Sequence, residues 1–221
     1  MKALIFDMDG LMIDSERLYF ENERQIAARF GKTVSNQILW KMMGRKPVES
    51  IRIFIKDLNI QVGDEEILRM RNQMMRDKLK NDLVAMNGLY EIIENFKAKM
   101  KLAISTGAPR EFLDIVLDKL QLRDVFAFCQ TSDDIRNGKP DPEIYIKTCQ
   151  GLGLNSGQCV VLEDSENGVV AGKRAGCYVI AIPSEYTSGQ RFDLADFIAD
   201  DLFAAGQHIM EMNVKPGYKT K

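Results

Sequence analysis

Asp7 and Asp9 stand two residues apart and are followed by Gly10, directly behind the apolar stretch Ala3–Phe6. A pair of carboxylates at that spacing can divide labour, one attacking an electrophile and the other moving a proton. Three further segments carry groups of the same kind. Ser105, Thr106 and Gly107 offer hydroxyls and an open backbone, Gly138-Lys139-Pro140 offers an ammonium, and Glu163-Asp164-Ser165 offers two more acids. Carboxylates gathered from separate loops repel one another unless a hard cation lies among them, and Mg2+ prefers oxygen ligands. A lysine and a hydroxyl beside such a cation suit the oxygens of a phosphoryl group. Polar residues are common in loops for reasons of solvation alone. What counts against that plainer explanation is the coincidence of four such segments.

These segments meet only if the elements around them form an open α/β sheet, in which ligands bind beyond the carboxyl ends of the strands. Lys2–Phe6 reads as a buried strand that runs into a turn. From Ser15 to about Lys80 the pattern is helical and highly charged, with no strand, so three or four short helices are expected. Ser15 fits an N-cap, Pro47 and Asp64 fit later helix starts, and Gly31, Gly44 and Gly63 punctuate the segments between. After about Ala85 helices and strands alternate. Helices are expected over 88–98, 110–120, 141–151, 166–175 and 202–212, and strands over 101–105, 125–129, 159–163, 178–182 and 196–199. Strands such as Cys159–Leu162 are apolar throughout, as in a parallel sheet covered on both faces. The predicted architecture is a doubly wound parallel α/β core made of residues 1–14 and 86–221, with a small α-helical cap of residues 15–85 inserted after the first strand. The tail Lys215–Lys221 is expected to fray.

Composition narrows the functional classes. Lys and Arg number 30 and Asp and Glu 32, a formal net charge of -2. That balance gives no reason to expect nucleic acid or an anionic membrane as partner. No stretch approaches the roughly 18 apolar residues of a spanning helix, and the first apolar run stops at Asp7, too early for a signal peptide. Cys129, Cys149, Cys159 and Cys177 form no CxxC pair and read as buried reduced thiols, so a cytoplasmic location is expected. A monomer acting on a small phosphorylated metabolite is the expected form. The single histidine, His208, excludes His-rich metal sites and two-histidine catalysis.

Asp7-Met8-Asp9-Gly10, the Thr106 segment, Gly138-Lys139-Pro140-Asp141-Pro142 and Glu163-Asp164-Ser165, in this order, resemble the four motifs of the haloacid dehalogenase-like hydrolases. The helical insertion behind the first motif is similar to the small cap of the β-phosphoglucomutase-like subfamily. The resemblance implies a Mg2+-dependent phosphatase working through an aspartyl-phosphate. By position it makes Asp7 the nucleophile, and Asp9 the general acid and base whose backbone carbonyl binds the metal. It makes Thr106 and the backbone N–H of Gly107 the holders of the phosphoryl oxygens, Lys139 the neutralising cation, Asp164 the principal remaining metal ligand, and Glu163 a ligand directly or through water. Thr106 is preferred to Ser105 because the family pattern puts this residue before a small one.

The nearest rival is a phosphosugar mutase of the same subfamily. Mutases use a cap histidine, and this cap has none; they also place an arginine three residues after the cap-turn glycine, where Pro47 follows Gly44. A non-catalytic phospho-acceptor receiver domain is the remote alternative. It needs only about 120 residues and lacks both the helical insertion and the second acid. A nucleotide P-loop is ruled out, because Pro140 stands where Ser or Thr is required. Met42, Met43, Met70, Met74, Met75 and Met86 lie in the insertion or at its end and read as core filling more than as a substrate wall. Arg45 or Lys46, beside Trp40 at a cap turn, could reach a substrate anion or stand as solvated charge, and His208 is expected to be structural.

Overall fold

In the computed structural model, which describes residues 1–43 and 45–214, β1 (Ala3–Phe6) is the central strand of a parallel sheet. Its four residues are all buried. Leu4 and Phe6 point to one face and Ala3 and Ile5 to the other, as the two-residue period of a strand demands. β2 (Lys101–Ser105) flanks it on one side and β4 (Cys159–Glu163) on the other, with Phe6 in register with both Ile104 and Leu162. β3 (Phe128–Gln130), β5 (Tyr178–Ala181) and β6 (Phe197–Ile198) complete the order β3-β2-β1-β4-β5-β6 among the described residues. The order reverses between β1 and β4, the position at which open α/β sheets leave a crevice.

Each face of the sheet carries its own core. Leu4, Phe6, Ile104 and Leu162 pack with Ile92, Phe96, Phe112 and Ile209 from α5 (Leu89–Phe96), α6 (Arg110–Leu120) and α9 (Leu202–Val214). Ala3, Ile5, Val161 and Val179 pack with Ile144, Tyr145 and Val169 from α7 (Glu143–Gly151) and α8 (Glu166–Arg174). The doubly wound α/β fold expected from the sequence is therefore the observed one.

The inserted segment forms α1 (Ser15–Arg29), α2 (Asn36–Met42), α3 (Pro47–Leu58) and α4 (Asp64–Asn81). Phe20, Ile26, Leu39, Ile51, Phe54 and Ile67 make a third apolar cluster among these helices. The chain enters and leaves the helices side by side. Asp14 N–H donates to Val84 O at 3.0 Å and Met86 N–H to Met12 O at 2.9 Å, with Ile13 bridged antiparallel to Ala85.

Several local expectations shift. Ser15 is not the N-cap: Asp14 occupies that position without a side-chain hydrogen bond, and Ser15 is the first helical residue. Its hydroxyl is committed elsewhere, to Asp9. The third strand begins at Phe128, because the residues expected to open it are spent on the turn after α6, where Val125 N–H donates to Leu122 O. The next helix begins at Glu143, behind Pro140 and Pro142, which cannot supply backbone donors. Cys129 is only half-buried, whereas the other three cysteines are buried. Gly44 and the tail 215–221 lie outside the described residues. No helix among those residues is long and apolar enough to cross a membrane.

Of the six methionines at the insertion, Met75 is fully buried and Met70, Met74 and Met86 are packed against the apolar clusters, so core filling holds for them. Phe54 is completely buried in the helical cluster, and truncating such a phenylalanine costs about 3–5 kcal/mol. Phe54→Ala should move the urea transition of Trp40, the single tryptophan and a neighbour in that cluster, to lower denaturant, with the unfolding free energy reduced by that amount. An unmoved transition contradicts this packing.

Candidate active site

Three parallel strands end side by side and each hands a polar side chain to the crevice. Asp7 follows β1, and its N–H still donates to Leu162 O at 3.0 Å, which holds it in line with the neighbouring strand. Ser105 ends β2. Its hydroxyl lies 2.6 Å from Thr148 Oγ1 inside the core, so it faces away from the crevice. Thr106, one residue later, faces it: its hydroxyl donates to Asp9 Oδ2 at 3.2 Å and accepts from Ala108 N–H at 3.0 Å. Ser15 donates to the other oxygen of Asp9 at 2.8 Å, so the second acid is gripped from both sides.

Lys139 arrives from the loop before α7 and is 1% exposed. Its ammonium bonds to Asp7 Oδ1 and sits 2.5 Å from Glu163 Oε1. Tyr145, one turn into α7, donates its hydroxyl to the same Glu163 oxygen, and Lys139 rests over the Tyr145 ring at 5.1 Å. The other oxygen of Glu163 accepts from the backbone and hydroxyl of Ser165. Glu163 is thus fully satisfied. Asp164 is its opposite: 1% exposed, with Oδ2 lacking any hydrogen-bond partner.

Backbone geometry makes this density possible. Gly10 has φ +75 and lies so close to the acids that a Cβ there would meet Asp164 Oδ2 at 2.2 Å. A Cβ on Gly168, in the first turn of α8, would meet Glu163 Oε1 at 1.8 Å. Both positions admit no side chain.

Electrostatics follow from burial. Asp7 is pushed up to about 8 by burial, against the opposing pull of Lys139. Asp9 is raised by burial, with the Ser15 and Thr106 hydrogen bonds opposing. Asp164 is raised well above the carboxylate range by burial and then by Glu16, Asp7 and Glu163. Burial pulls Lys139 down, but Asp7 and Glu163 more than reverse this. Carboxylate oxygens of Asp7, Glu163 and Asp164 lie within 4.8 Å of one another. That oxygen-only donor set, with one buried acceptor unmet, fits a hard divalent cation such as Mg2+.

Opposite these groups the inserted helices close a cleft of about 80 Å3. Asp7, Asp9, Gly107 and Asp164 line its floor, and Tyr19, Phe20, Glu23, Met42, Met43 and Arg71 line its roof. Met42 and Met43 thus also belong to the wall that the sequence reading disfavoured. The roof is tied down near Lys139. Lys46 Nζ donates to Ile135 O at 2.8 Å and Arg136 O at 3.1 Å, Asn167 Nδ2 donates to Met43 O at 2.9 Å, and Trp40 Nε1 donates to Tyr186 O.

A family model described as haloacid dehalogenase-like hydrolase matches residues 4–182. The chain belongs to the haloacid dehalogenase-like hydrolases. A Thermotoga maritima protein named phosphorylated carbohydrates phosphatase is 37% identical over 179 residues, 80% of this chain and 82% of that one. An Arabidopsis thaliana (DL)-glycerol-3-phosphatase 2 is 31% identical over 210 residues, 90% of this chain and 86% of its own. In fold, the crystal structure of β-phosphoglucomutase from Clostridium difficile superposes with a TM-score of 0.81, at 20% identity, over 97% of this chain and 100% of that one. Within the family, the chain falls in the β-phosphoglucomutase-like subfamily.

For this hydrolase the motif reading found Asp7, Asp9, Thr106, Gly107, Lys139, Glu163 and Asp164, and the fold gathers all of them around one crevice. It missed Glu16, Glu23, Arg71 and Tyr145. Glu16 is buried, has no hydrogen-bond partner among the described residues, and is raised well above its usual range by burial and then by Asp9 and Asp7. Its signal was available: it stands in the first turn of the helix that directly follows the Asp7–Gly10 loop. Tyr145 looked like any core aromatic of a crossover helix. Arg45 does line the cleft, while Lys46 is a tie between layers. His208 stacks on Phe197 at 3.8 Å and meets the Tyr178 hydroxyl at 2.8 Å, a structural role.

Asp164 gives a test of the charge crowding. A carboxylate raised on folding costs stability above its unfolded value near 4, and the cost vanishes below it. Asp164→Asn should therefore stabilise the chelator-treated protein at pH 7 by about 1–2 kcal/mol, or about 3–6 °C in Tm. The gain should shrink as the pH falls toward 4. A lower Tm than wild type at pH 7 contradicts the crowding.

Proposed function

We propose that this hydrolase is a Mg2+-dependent phosphatase that cleaves a small phosphorylated metabolite through an aspartyl-phosphate on Asp7. The observation that carries the reading is the buried triad of Asp7, Lys139 and Glu163 beside Asp9. Relatives named as phosphatases of phosphorylated carbohydrates and of glycerol 3-phosphate support the substrate class. Asp7 and Asp164, with the backbone carbonyl of Asp9, would hold the cation directly and Glu163 through water, and the cation when bound would neutralise carboxylate and phosphoryl charge.

In this reading a carboxylate oxygen of Asp7 attacks phosphorus as the P–O bond to the leaving group breaks. Lys139 aims that carboxylate and draws it toward its ionised form against the effect of burial, a pull that the cation, when bound, would complete. Asp9, raised by burial, hands its proton to the leaving oxygen, and the alcohol departs neutral. Thr106 and the Gly107 N–H take the phosphoryl oxygens. Asp9, now a carboxylate, removes a proton from water, whose oxygen attacks phosphorus, and inorganic phosphate leaves with Asp7 restored. Ser15 and Thr106 hold Asp9 where it can serve both steps. Residues 15–85 act as a cap whose roof excludes bulk water, closing about the paired chain segments at 12–14 and 84–86.

The cleft favours hydrolysis over mutase chemistry. None of the residues that line it is a histidine, and His208 is engaged with Phe197 and Tyr178. Nothing in the roof therefore resembles the cap histidine that restrains the acid–base aspartate in mutases, and Asp9 is available to activate water.

The test begins with Asp7→Asn, an isosteric change. It should abolish phosphate release from phosphate esters while leaving the circular dichroism spectrum unchanged. Wild-type turnover should vanish in excess chelator and return with Mg2+, and beryllium fluoride should add to Asp7. Turnover by the folded Asn variant would rule out the nucleophile assignment.

A further inference from the structure

The roof of the cleft holds a second pair of buried charges that the chemistry at Asp7 leaves unused. Glu23, on α1, is 2% exposed and Arg71, on α4, 5% exposed. Both line the cleft. Their nearest approach is Arg71 Nη1 to Glu23 Oε1 at 3.6 Å, longer than a hydrogen bond. Glu23 Oε2 and Arg71 Nε are buried and have no hydrogen-bond partner. The Arg71 guanidinium also lies over the Tyr19 ring, 5.8 Å from its centroid.

An ion pair kept only for the fold would close and satisfy these atoms, because a buried charge without its hydrogen bonds is costly. Here one buried acceptor and one buried donor, on residues whose charged groups approach to 3.6 Å, are both unmet in the roof of the cleft. An apolar ligand would leave both unsatisfied. A carboxylate would suit Arg71 but be repelled by Glu23, and an ammonium would suit Glu23 but be repelled by Arg71. A hydroxyl suits both, since its hydrogen donates and its oxygen accepts. The cleft is small, about 80 Å3, which favours a short chain on the phosphoryl group.

We propose that Glu23 and Arg71 are the specificity-determining pair that reads the hydroxyls at the far end of the substrate, which makes the preferred substrates short, uncharged polyol monophosphates. The substrate oxygen donates its hydrogen to Glu23 Oε2, and the same or a neighbouring oxygen accepts from Arg71 Nε. The proposal rests on the phosphatase reading above and adds the chemistry of the leaving group to it.

The test measures phosphate release by the Mg2+-loaded enzyme from glycerol 3-phosphate and from n-propyl phosphate, which lacks both hydroxyls. Wild type should favour the diol ester in kcat/KM by about 10^4-fold, as sites built to hydrogen-bond a hydroxyl do. The double variant Glu23→Leu/Arg71→Met removes both charges together, so neither is left buried alone. In it the preference should collapse to near one. A folded double variant that keeps the preference overturns the proposal. So does a wild type without preference, which decides the matter even where the variant does not fold. Selection of 3-phosphoglycerate or uridine 5′-monophosphate over glycerol 3-phosphate overturns it as well, in favour of a carboxylate or a base as the group recognised. Release from no ester at all, p-nitrophenyl phosphate included, would instead remove the phosphatase reading and this proposal with it.

Discussion

One ammonium group organises the crevice. Lys139 lies between Asp7 and Glu163 with almost no contact with water, and around it stand Asp9, Glu16 and Asp164. A single positive charge cannot balance that number of carboxylates. Burial, joined at Asp7 and Asp164 by the neighbouring acids, keeps Asp7, Asp9 and Asp164 above their ordinary range, and the surplus of acids makes the site receptive to a further cation. It also explains why Glu163 is so heavily hydrogen-bonded. By accepting from Lys139, Tyr145 and Ser165, Glu163 anchors the lysine, and the lysine then positions Asp7.

The rest of the fold serves to keep these groups in place. Parallel strands with both faces covered are rigid at their carboxyl ends, and Asp7, Thr106 and Glu163 sit at or just beyond three adjacent ends. Tyr145 connects the site to the apolar layer of α7 and α8, so packing in that layer bears directly on Lys139. Gly10 and Gly168 let main chain approach the acids more closely than any other residue would permit. The inserted helices supply what the sheet cannot, a roof with its own charged pair and apolar wall.

Much of this was legible in the sequence, for identifiable reasons. Apolar strands such as Ala3–Phe6 and Cys159–Leu162 and the alternation after Ala85 announce a parallel sheet. Acids placed directly behind those strands announce the floor of the site. The roof was not legible, because Glu23 and Arg71 sit on different helices among many other charges, and nothing local separates a buried charge from a solvated one. Ser15 shows the same limit at short range. Its position is that of a helix cap, yet its hydroxyl belongs to Asp9, and only the turn at Gly10 brings the two together. Cys129 looked as buried as the other thiols because its strand lies toward the sheet edge, which spacing alone does not reveal.

The paired crossing at 12–14 and 84–86 has a consequence for how such a chain can change over time. The two segments are joined by main-chain hydrogen bonds, Asp14 to Val84 and Met86 to Met12, which are indifferent to side-chain identity. The entry and exit of the helical segment therefore stay adjacent whatever lies between them. That makes the junction a natural splice point. A different set of helices could be exchanged there as a cassette, with the catalytic floor inherited intact and a new selectivity acquired in a single recombination.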